Sequence, residues 1–265
     1  MDGAVNQPPR NVALSGRRAI VTGSGGGLGR GIAIALAAAG AQVAIAVRRR
    51  STGEETAAMI SAAGGKALVV EADVSSRSAV RSAVQRCVEA FGGLDIIIHN
   101  ANAAESALPV RLEEITDEQW DRQARVAWDG ALWLAQSALP HLKASAHARC
   151  VLLGSAFGLH GAGFNPIYSA LKGGIRGLTK SLAREWGPFG ITVNAIQPSG
   201  ATEPTEVFFN QNPAVRDAYM RNFPLGRMGT PREDIGGAVV AICSDEFQYV
   251  TGQSIMVDGG LYTAL

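Results

Sequence analysis

The apolar positions of this 265-residue chain follow two rhythms that alternate along its length. Short, continuous apolar runs recur at RRAIVTG (17–23), QVAIAV (42–47), KALVVEAD (66–73), LDIIIHNA (94–101), RCVLLGS (149–155), GITVNAIQP (190–198) and SIMVDGG (254–260). Between them apolar residues return every three or four positions, the helical period. This predicts helices to about Ala39, over 54–63, over 78–91, from Thr116 to about Lys143, over 167–186 and over 232–243. Thr116 followed by Gln119 is a capping box that opens the fourth of these, and Pro140 is expected to bend it. Residues 199–230 read as irregular. Strands that are apolar throughout, rather than on alternate residues, belong to parallel sheets covered on both faces. The expected fold is α/β, a Rossmann-like doubly wound parallel sheet of about seven strands with helices on both faces. Residues 1–15 are expected to be a flexible tail and 16–265 one domain. Such sheets bind ligands outside the carboxyl ends of their strands, where the strand order reverses.

Composition narrows the class. A net charge of +1 gives no electrostatic reason to expect nucleic acid or an anionic membrane as a partner. Hydrophobic residues at 47% and charged residues at 18% suit a compact enzyme with a large core. The most apolar stretch, GIAIALAAAGAQVAIAV, is interrupted by Gly40 and Gln42 and reads as helix, turn and strand, not a membrane span. The N-terminal MDGAVNQPPRNVALSG lacks the apolar centre of a secretory signal. Cys87, Cys150 and Cys243 are odd in number and widely spaced, which suggests a reducing, cytoplasmic setting without a disulfide framework. No His, Cys or Asp grouping has metal-ligand spacing. His141 and His147 read as surface residues; His160 either borders a substrate or sits exposed on a loop.

Two stretches carry candidate chemistry. The first strand runs into TGSGGGLG, Thr22 to Gly29, where glycines let the backbone approach a phosphate and the next helix aims free N–H groups at it. The spacing is TGxxxGxG and not the generic GxGxxG. Further on, PIYSALKGG places Tyr168 and Lys172 one helical turn apart. A phenol titrates near ~10, and a close ammonium would favour its ionised form. Spacing alone leaves such a pair equally readable as a solvated helix face.

TGxxxGxG, YxxxK and Ser155 ahead of the tyrosine together resemble the short-chain dehydrogenase/reductase superfamily, from about Gly16 to Gly260. EADV (71–74), DIIIHNA (95–101), ITVNAIQP (191–198) and YVTGQSIMVDGG (249–260) add to the resemblance. It implies that Tyr168 exchanges a proton with a carbonyl or alcohol oxygen, that Ser155 orients that oxygen, and that Lys172 binds the nicotinamide ribose and lowers the tyrosine pKa. It implies cofactor contacts at Gly23, Ser24, Gly27, Leu28 and Gly29, at Asp73 and Val74 beside adenine, at Asn100 and Ala101 beside the adenosine ribose, and at Pro198 and Thr202. Val47 stands where NAD-dependent relatives carry Asp, and Arg48, Arg49 and Arg50 follow it. Guanidinium groups match a 2′-phosphate, so NADP(H) is expected ahead of NAD(H).

The chain departs from the family pattern at two places. HNAN replaces the family's NNAG, with His99 for the first Asn and Asn102 for the Gly; Asn readily adopts positive φ, though its side chain would intrude toward the nicotinamide end. WDRQARVAWDG replaces WDxxxxVNLxG and puts Ala127 at the Asn that, in the family, holds a water linking the lysine to solvent. Asp129 faces another side of the helix and is a poor substitute. The expected function is an NADP(H)-dependent oxidoreductase interconverting a ketone or aldehyde and an alcohol. A 3-oxoacyl-thioester reductase is the alternative among enzymes, and a catalytically weak NADP(H)-binding sensor or scaffold, suggested by Ala127, is the alternative outside them. Residues 203–224 are expected to form a substrate lid. Phe208, Phe209, Tyr219 and Phe223, with Phe157 and Phe164 on a nearby loop, point to a moderately apolar small-molecule substrate. The resemblance also implies a homo-tetramer or dimer through the helices beginning near Thr116 and Pro166. Ala124, Ala131 and Ala135 would either permit close helix packing there or face the chain's own sheet.

Overall fold

The computed structural model describes residues 13–106 and 108–263. All seven apolar runs are strands: β1 (Arg18–Thr22), β2 (Gln42–Val47), β3 (Lys66–Glu71), β4 (Ile96–His99), β5 (Arg149–Leu153), β6 (Thr192–Pro198) and β7 (Ser254–Val257). They form one sheet in the order β3-β2-β1-β4-β5-β6-β7, parallel throughout. The helices are α1 (Gly27–Ala38), α2 (Arg50–Ala62), α3 (Arg77–Phe91), α4 (Asp117–Ala124), α5 (Gly130–Lys143), α6 (Phe157–His160), α7 (Pro166–Trp186), α8 (Glu203–Gln211), α9 (Pro213–Met220) and α10 (Gly237–Cys243).

The sheet is apolar on both faces because both are covered. On one face Ile20, Ile97 and Leu152 pack with Val84 of α3, Leu134 of α5 and Ile175 and Trp186 of α7. On the other, the alternate residues Val21, Ile98 and Val151 pack with Ile32 and Leu36 of α1, Ile60 of α2 and Val239 of α10. Successive side chains of one strand thus serve different cores, which is why no strand could alternate with polar residues. The chain moves outward from β1 to β3 and then crosses back to β4. The loops leaving β1 and β4 therefore diverge and leave a crevice between them.

Several details differ from the sequence expectations. Leu14, placed in the flexible tail, is fully buried in the core under α1, and its N–H donates to Ala39 O at 2.9 Å. Residues 1–12 of that tail lie outside the described residues. The segment 199–230 is not irregular: it contains α8 and α9, each with a proline in its first turn, where the missing N–H costs nothing. Each helix is only about two turns long, so its helical period is too short to read from the sequence. The long helix from Thr116 has its capping box as expected, but its irregularity is a π-helical turn at Arg125–Asp129; Pro140 lies within α5. The wider π turn rephases the helix so that Gly130 can settle against the carboxyl end of β4. A Cβ on Gly130 would stand 3.1 Å from the His99 ring and 3.2 Å from Val74. Ala131 and Ala135 are buried in the chain's own core, so their small size serves the sheet.

Cys87, Cys150 and Cys243 are free and buried, and burial raises each thiol's pKa, to about 12 for Cys87 and Cys243. Among the described residues no helix is long and apolar enough to cross a membrane.

The first helix is held against the turn Pro231–Gly236 by a close backbone approach. A Cβ on Gly31 would lie 2.3 Å from the Pro231 carbonyl carbon, and that atom belongs to backbone that cannot swing away. Gly31→Ala is expected to destabilise the fold by about 2 kcal/mol, overpacking outweighing the gain in helix propensity. Urea unfolding measures it; an unchanged midpoint would show that the two elements separate freely.

Candidate active site

The crevice between the β1 and β4 loops is a cleft of about 450 Å³ lined by Gly23, Gly25, Gly26, Val47, Arg48, Arg49, Asp73, Val74, Asn100 and Ala101, among others. Its floor is backbone. Gly23 has φ 65° and a Cβ there would meet Ala101 at 2.9 Å. No side chain caps α1, whose N-cap Gly26 lines the cleft, so its first amides have no side-chain partner. Asn100 ties the two loops together, its Nδ2 donating to Thr22 O and Gly23 O, both at 3.0 Å. Arg30 ties the glycine loop to α2, donating to Gly25 O and pairing with Glu55.

At the far end of the cleft Arg48 and Arg49 are exposed, with no ion pair among the described residues. Asp73 is held through Oδ1, which accepts from Ser75 N at 2.9 Å and Ser75 Oγ at 2.6 Å. Those bonds, with a smaller contribution from Arg48, keep its pKa below the usual carboxylate range. Uncapped amides, a glycine floor and two unpaired guanidinium groups fit a dinucleotide carrying phosphates at both ends of its adenosine.

The remaining cofactor candidates divide. Ser24 is fully buried and its hydroxyl donates to Val21 O, which makes it a brace for the turn. Gly29 is buried too; a Cβ would strike Gly23 O and Asn100 Nδ2, so it serves the close packing of the two loops. Gly27 lies beside Thr202 (Cγ2 3.5 Å from its Cβ position), and Leu28 beside Gly200, so the loop meets the segment after Pro198. Asn102 does not use the left-handed region: Phe164 is the only non-glycine residue with positive φ among those described. The Asn102 side chain folds back to donate to Asn100 O at 3.0 Å, an interaction that suits an ordinary backbone. Thr52, Glu105, Arg122 and Val126 also line the cleft and were not singled out from sequence. Glu105 and Arg122 form an ion pair across its rim that no local motif announces.

Ser155, Tyr168 and Lys172 converge beyond the carboxyl end of β5. Ser155 follows that strand directly; Tyr168 and Lys172 come from the first turns of α7, which Pro166 starts. Ser155 Oγ accepts from Phe157 N at 3.2 Å and sits close enough to the Tyr168 phenol to favour its ionised form. Phe157 meets the Tyr168 ring edge-on at 6.1 Å. Helix α6 lies directly on the α7 backbone at Lys172, a contact only Gly158 allows, since a Cβ would fall 2.5 Å from the Lys172 carbonyl carbon.

Lys172 is 3% exposed, and its Nζ donates to Leu153 O at 2.6 Å while standing 5.5 Å from the Tyr168 ring centroid. Burial brings its pKa down to about 7. The expected lowering of the tyrosine pKa by this lysine is not present in this structure. Burial raises the Tyr168 pKa, Ser155 opposes it, and the ammonium is turned to the Leu153 carbonyl. The pair is thus a tyrosine that holds its proton and a lysine poised to give or take one near neutrality.

His160 is exposed and stacks on Tyr262 at 5.1 Å. In the segment expected to be a lid, Phe208, Phe209, Tyr219 and Phe223 form a chain of ring contacts at 5.6, 5.6 and 5.3 Å. Phe209 and Phe223 are buried and brace α8 and α9, while Phe208 remains exposed.

A lysine with a folded-state pKa near 7 and an unfolded value near ~10.4 makes the unfolded chain bind more protons between those values. Its burial therefore weakens the fold fully below pH 7, and stability rises with pH above it. From about pH 9 the buried thiols act in the opposite sense, because their pKa values are raised. Unfolding free energy is expected to rise between pH 7 and 9, and Lys172→Met to flatten that rise; equal slopes in both proteins would refute the charge-burial account.

Comparisons with known proteins agree with this geometry. A family model described as Enoyl-(Acyl carrier protein) reductase matches residues 23–262. A putative short-chain alcohol dehydrogenase from Sinorhizobium meliloti superposes with a TM-score of 0.89 at 34% identity, covering 96% of this chain and 100% of that one. A short chain dehydrogenase from Burkholderia cenocepacia in complex with NADP gives 0.84 at 32% identity (94% and 99% covered). A 3-ketoacyl-(acyl-carrier-protein) reductase from Brucella melitensis complexed with NADH gives 0.85 at 31% (94% and 99% covered). A matched family model over nearly the whole chain, together with the parallel sheet and the Ser155, Tyr168 and Lys172 cluster beside the cleft, places this protein in the short-chain dehydrogenase/reductase family of oxidoreductases.

Proposed function

We propose that this protein is an NADP(H)-dependent reductase or dehydrogenase that interconverts a ketone or aldehyde and an alcohol. The observation that carries the reading is the convergence of Ser155, Tyr168 and Lys172 beyond the carboxyl end of β5, in the same sheet whose β1–β4 crevice carries the unpaired Arg48 and Arg49. Arg48 and Arg49 would hold the 2′-phosphate, the first amides of α1 the pyrophosphate, Asp73 and Val74 the adenine, and Lys172 the nicotinamide ribose. The bound nicotinamide supplies the hydride. Ser155 orients the substrate oxygen, and Tyr168 delivers its phenolic proton to that oxygen during reduction or accepts it during oxidation. Lys172 then replaces the proton, a role suited to its pKa of about 7. As a lid, α8 and α9 would offer the exposed Phe208 to a moderately apolar substrate. The Brucella reductase named for 3-ketoacyl carrier-protein substrates supports a second reading, a 3-oxoacyl-thioester reductase on the same residues.

NADPH consumption followed at 340 nm across apolar ketones, polar sugars and an acetoacetyl thioester tests both readings. Reduction of an apolar ketone is expected, with Tyr168→Phe at least ~10²-fold slower. Turnover that survives the Phe substitution contradicts the mechanism, and activity confined to the thioester selects the second reading.

Replacing Arg48 and Arg49 by alanine is expected to weaken NADPH at least about tenfold, the loss of a charged hydrogen bond, while leaving NADH nearly unchanged. Fluorescence titration of both dinucleotides measures it; an equal loss for both, or a parent protein preferring NADH tenfold, would overturn the cofactor assignment.

A further inference from the structure

His99, the last residue of β4, is 2% exposed and has no part in the reading above. Its Nδ1 lies 3.2 Å from Thr22 Oγ1. That hydroxyl already accepts the backbone N–H groups of Asn100 at 3.1 Å and Ala101 at 3.2 Å. A hydroxyl has two acceptor lone pairs and one proton. With both lone pairs taken, the proton is directed to Nδ1, so Nδ1 accepts and the ring carries its own proton on Nε2.

That Nε2 is buried and has no hydrogen-bond partner among the described residues. The ring abuts the junction of the π turn and α5, where its Cε1 would lie 3.1 Å from a Cβ on Gly130. The carbonyls of Val126 and Ala127 lie near enough to favour a protonated ring, and the Lys172 ammonium near enough to oppose one; burial dominates and holds the ring neutral, with a pKa of about 3. The sheet register brings the two basic groups together: His99 pairs with Leu152, and Lys172 Nζ bonds the next carbonyl, that of Leu153. Ala127 in turn packs with Ile167 and Leu171 beside Lys172.

We propose that His99 is a positioning residue: its buried Nε2–H, left without a partner in the static structure, closes onto the backbone of the π turn that the ring abuts and holds that turn beside Lys172, where Ala127 has no polar side chain. The proposal rests on the reading of Lys172 as the source of the Tyr168 proton. In that sequence the phenolic proton passes to the substrate oxygen, Lys172 Nζ replaces it, and Lys172 recovers a proton from solvent past the turn. The neutral imidazole accepts one hydrogen bond from Thr22 Oγ1, keeps its Nε2 proton and transfers none.

Two measurements test it separately. Long-range proton–nitrogen NMR of the whole protein, with His99→Asn assigning the signal, is expected to show one imidazole that stays neutral and protonated on Nε2 from pH 5 to 8. An Nδ1–H ring, or one titrating near ~6.5, overturns the proposal without reference to activity. In kinetics with NADPH and a ketone that the parent reduces, His99→Phe is expected to lower kcat about tenfold and displace its pH profile, with KM for NADPH within about twofold. His99→Gln, which keeps an N–H donor, and the double change His99→Asn with Ala127→Asn are both expected to recover most of that loss. A His99→Phe protein with the parent kcat and pH profile refutes the positioning role. A parent inactive on every carbonyl would instead refute the proposed function, leaving the NMR result to decide the His99 arrangement.

Discussion

The bond from Lys172 Nζ to Leu153 O is the constraint around which the rest of the site is arranged. An ammonium almost out of reach of water, with one backbone carbonyl for a partner, is costly to keep charged. The cost is what brings its pKa near neutrality, and the surrounding elements maintain the burial. Helix α6 lies on the α7 backbone at Gly158, Ile167 and Leu171 pack against Ala127, and β5 supplies the carbonyl at its open end. A looser contact at any of these would admit water and return the lysine to its ordinary range.

The second half of the site depends on the junction of β1 and β4. One hydroxyl, Thr22 Oγ1, bonds the amides of Asn100 and Ala101 and the ring of His99, while Asn100 reaches back to the carbonyls of Thr22 and Gly23. The glycine loop is thereby fixed to the strand that also carries His99 toward the π turn. The β1 and β4 loops that line the cleft are consequently parts of one hydrogen-bonded unit, and β4 runs beside β5, whose Leu153 carbonyl holds Lys172.

The parallel sheet was legible in the sequence because residues serving two covered faces leave continuous apolar runs. The glycine loop and the Tyr168–Lys172 pair were legible because their spacing is local. Other features depend on contacts that spacing does not encode. Leu14 looks like part of a polar tail until the fold places α1 over it. The π turn leaves the helical period of its sequence unchanged to the eye, so Ala127 reads there as a simple loss, with the compensating His99 on a distant strand. Arg122 and Glu105 meet only because a loop and a helix share a rim. The raised pKa of Tyr168 follows from burial, where neighbour spacing suggested the reverse.

The central claim is that burial alone poises Lys172 for proton exchange. Its most direct measurement is a pH titration of the Lys172 side-chain resonances, with labelled lysine and Lys172→Met for assignment. A midpoint near 7 is expected in the free protein, in line with the burial of the ammonium. A midpoint near the ordinary value of ~10.4 would mean that water reaches the ammonium, and would contradict the account.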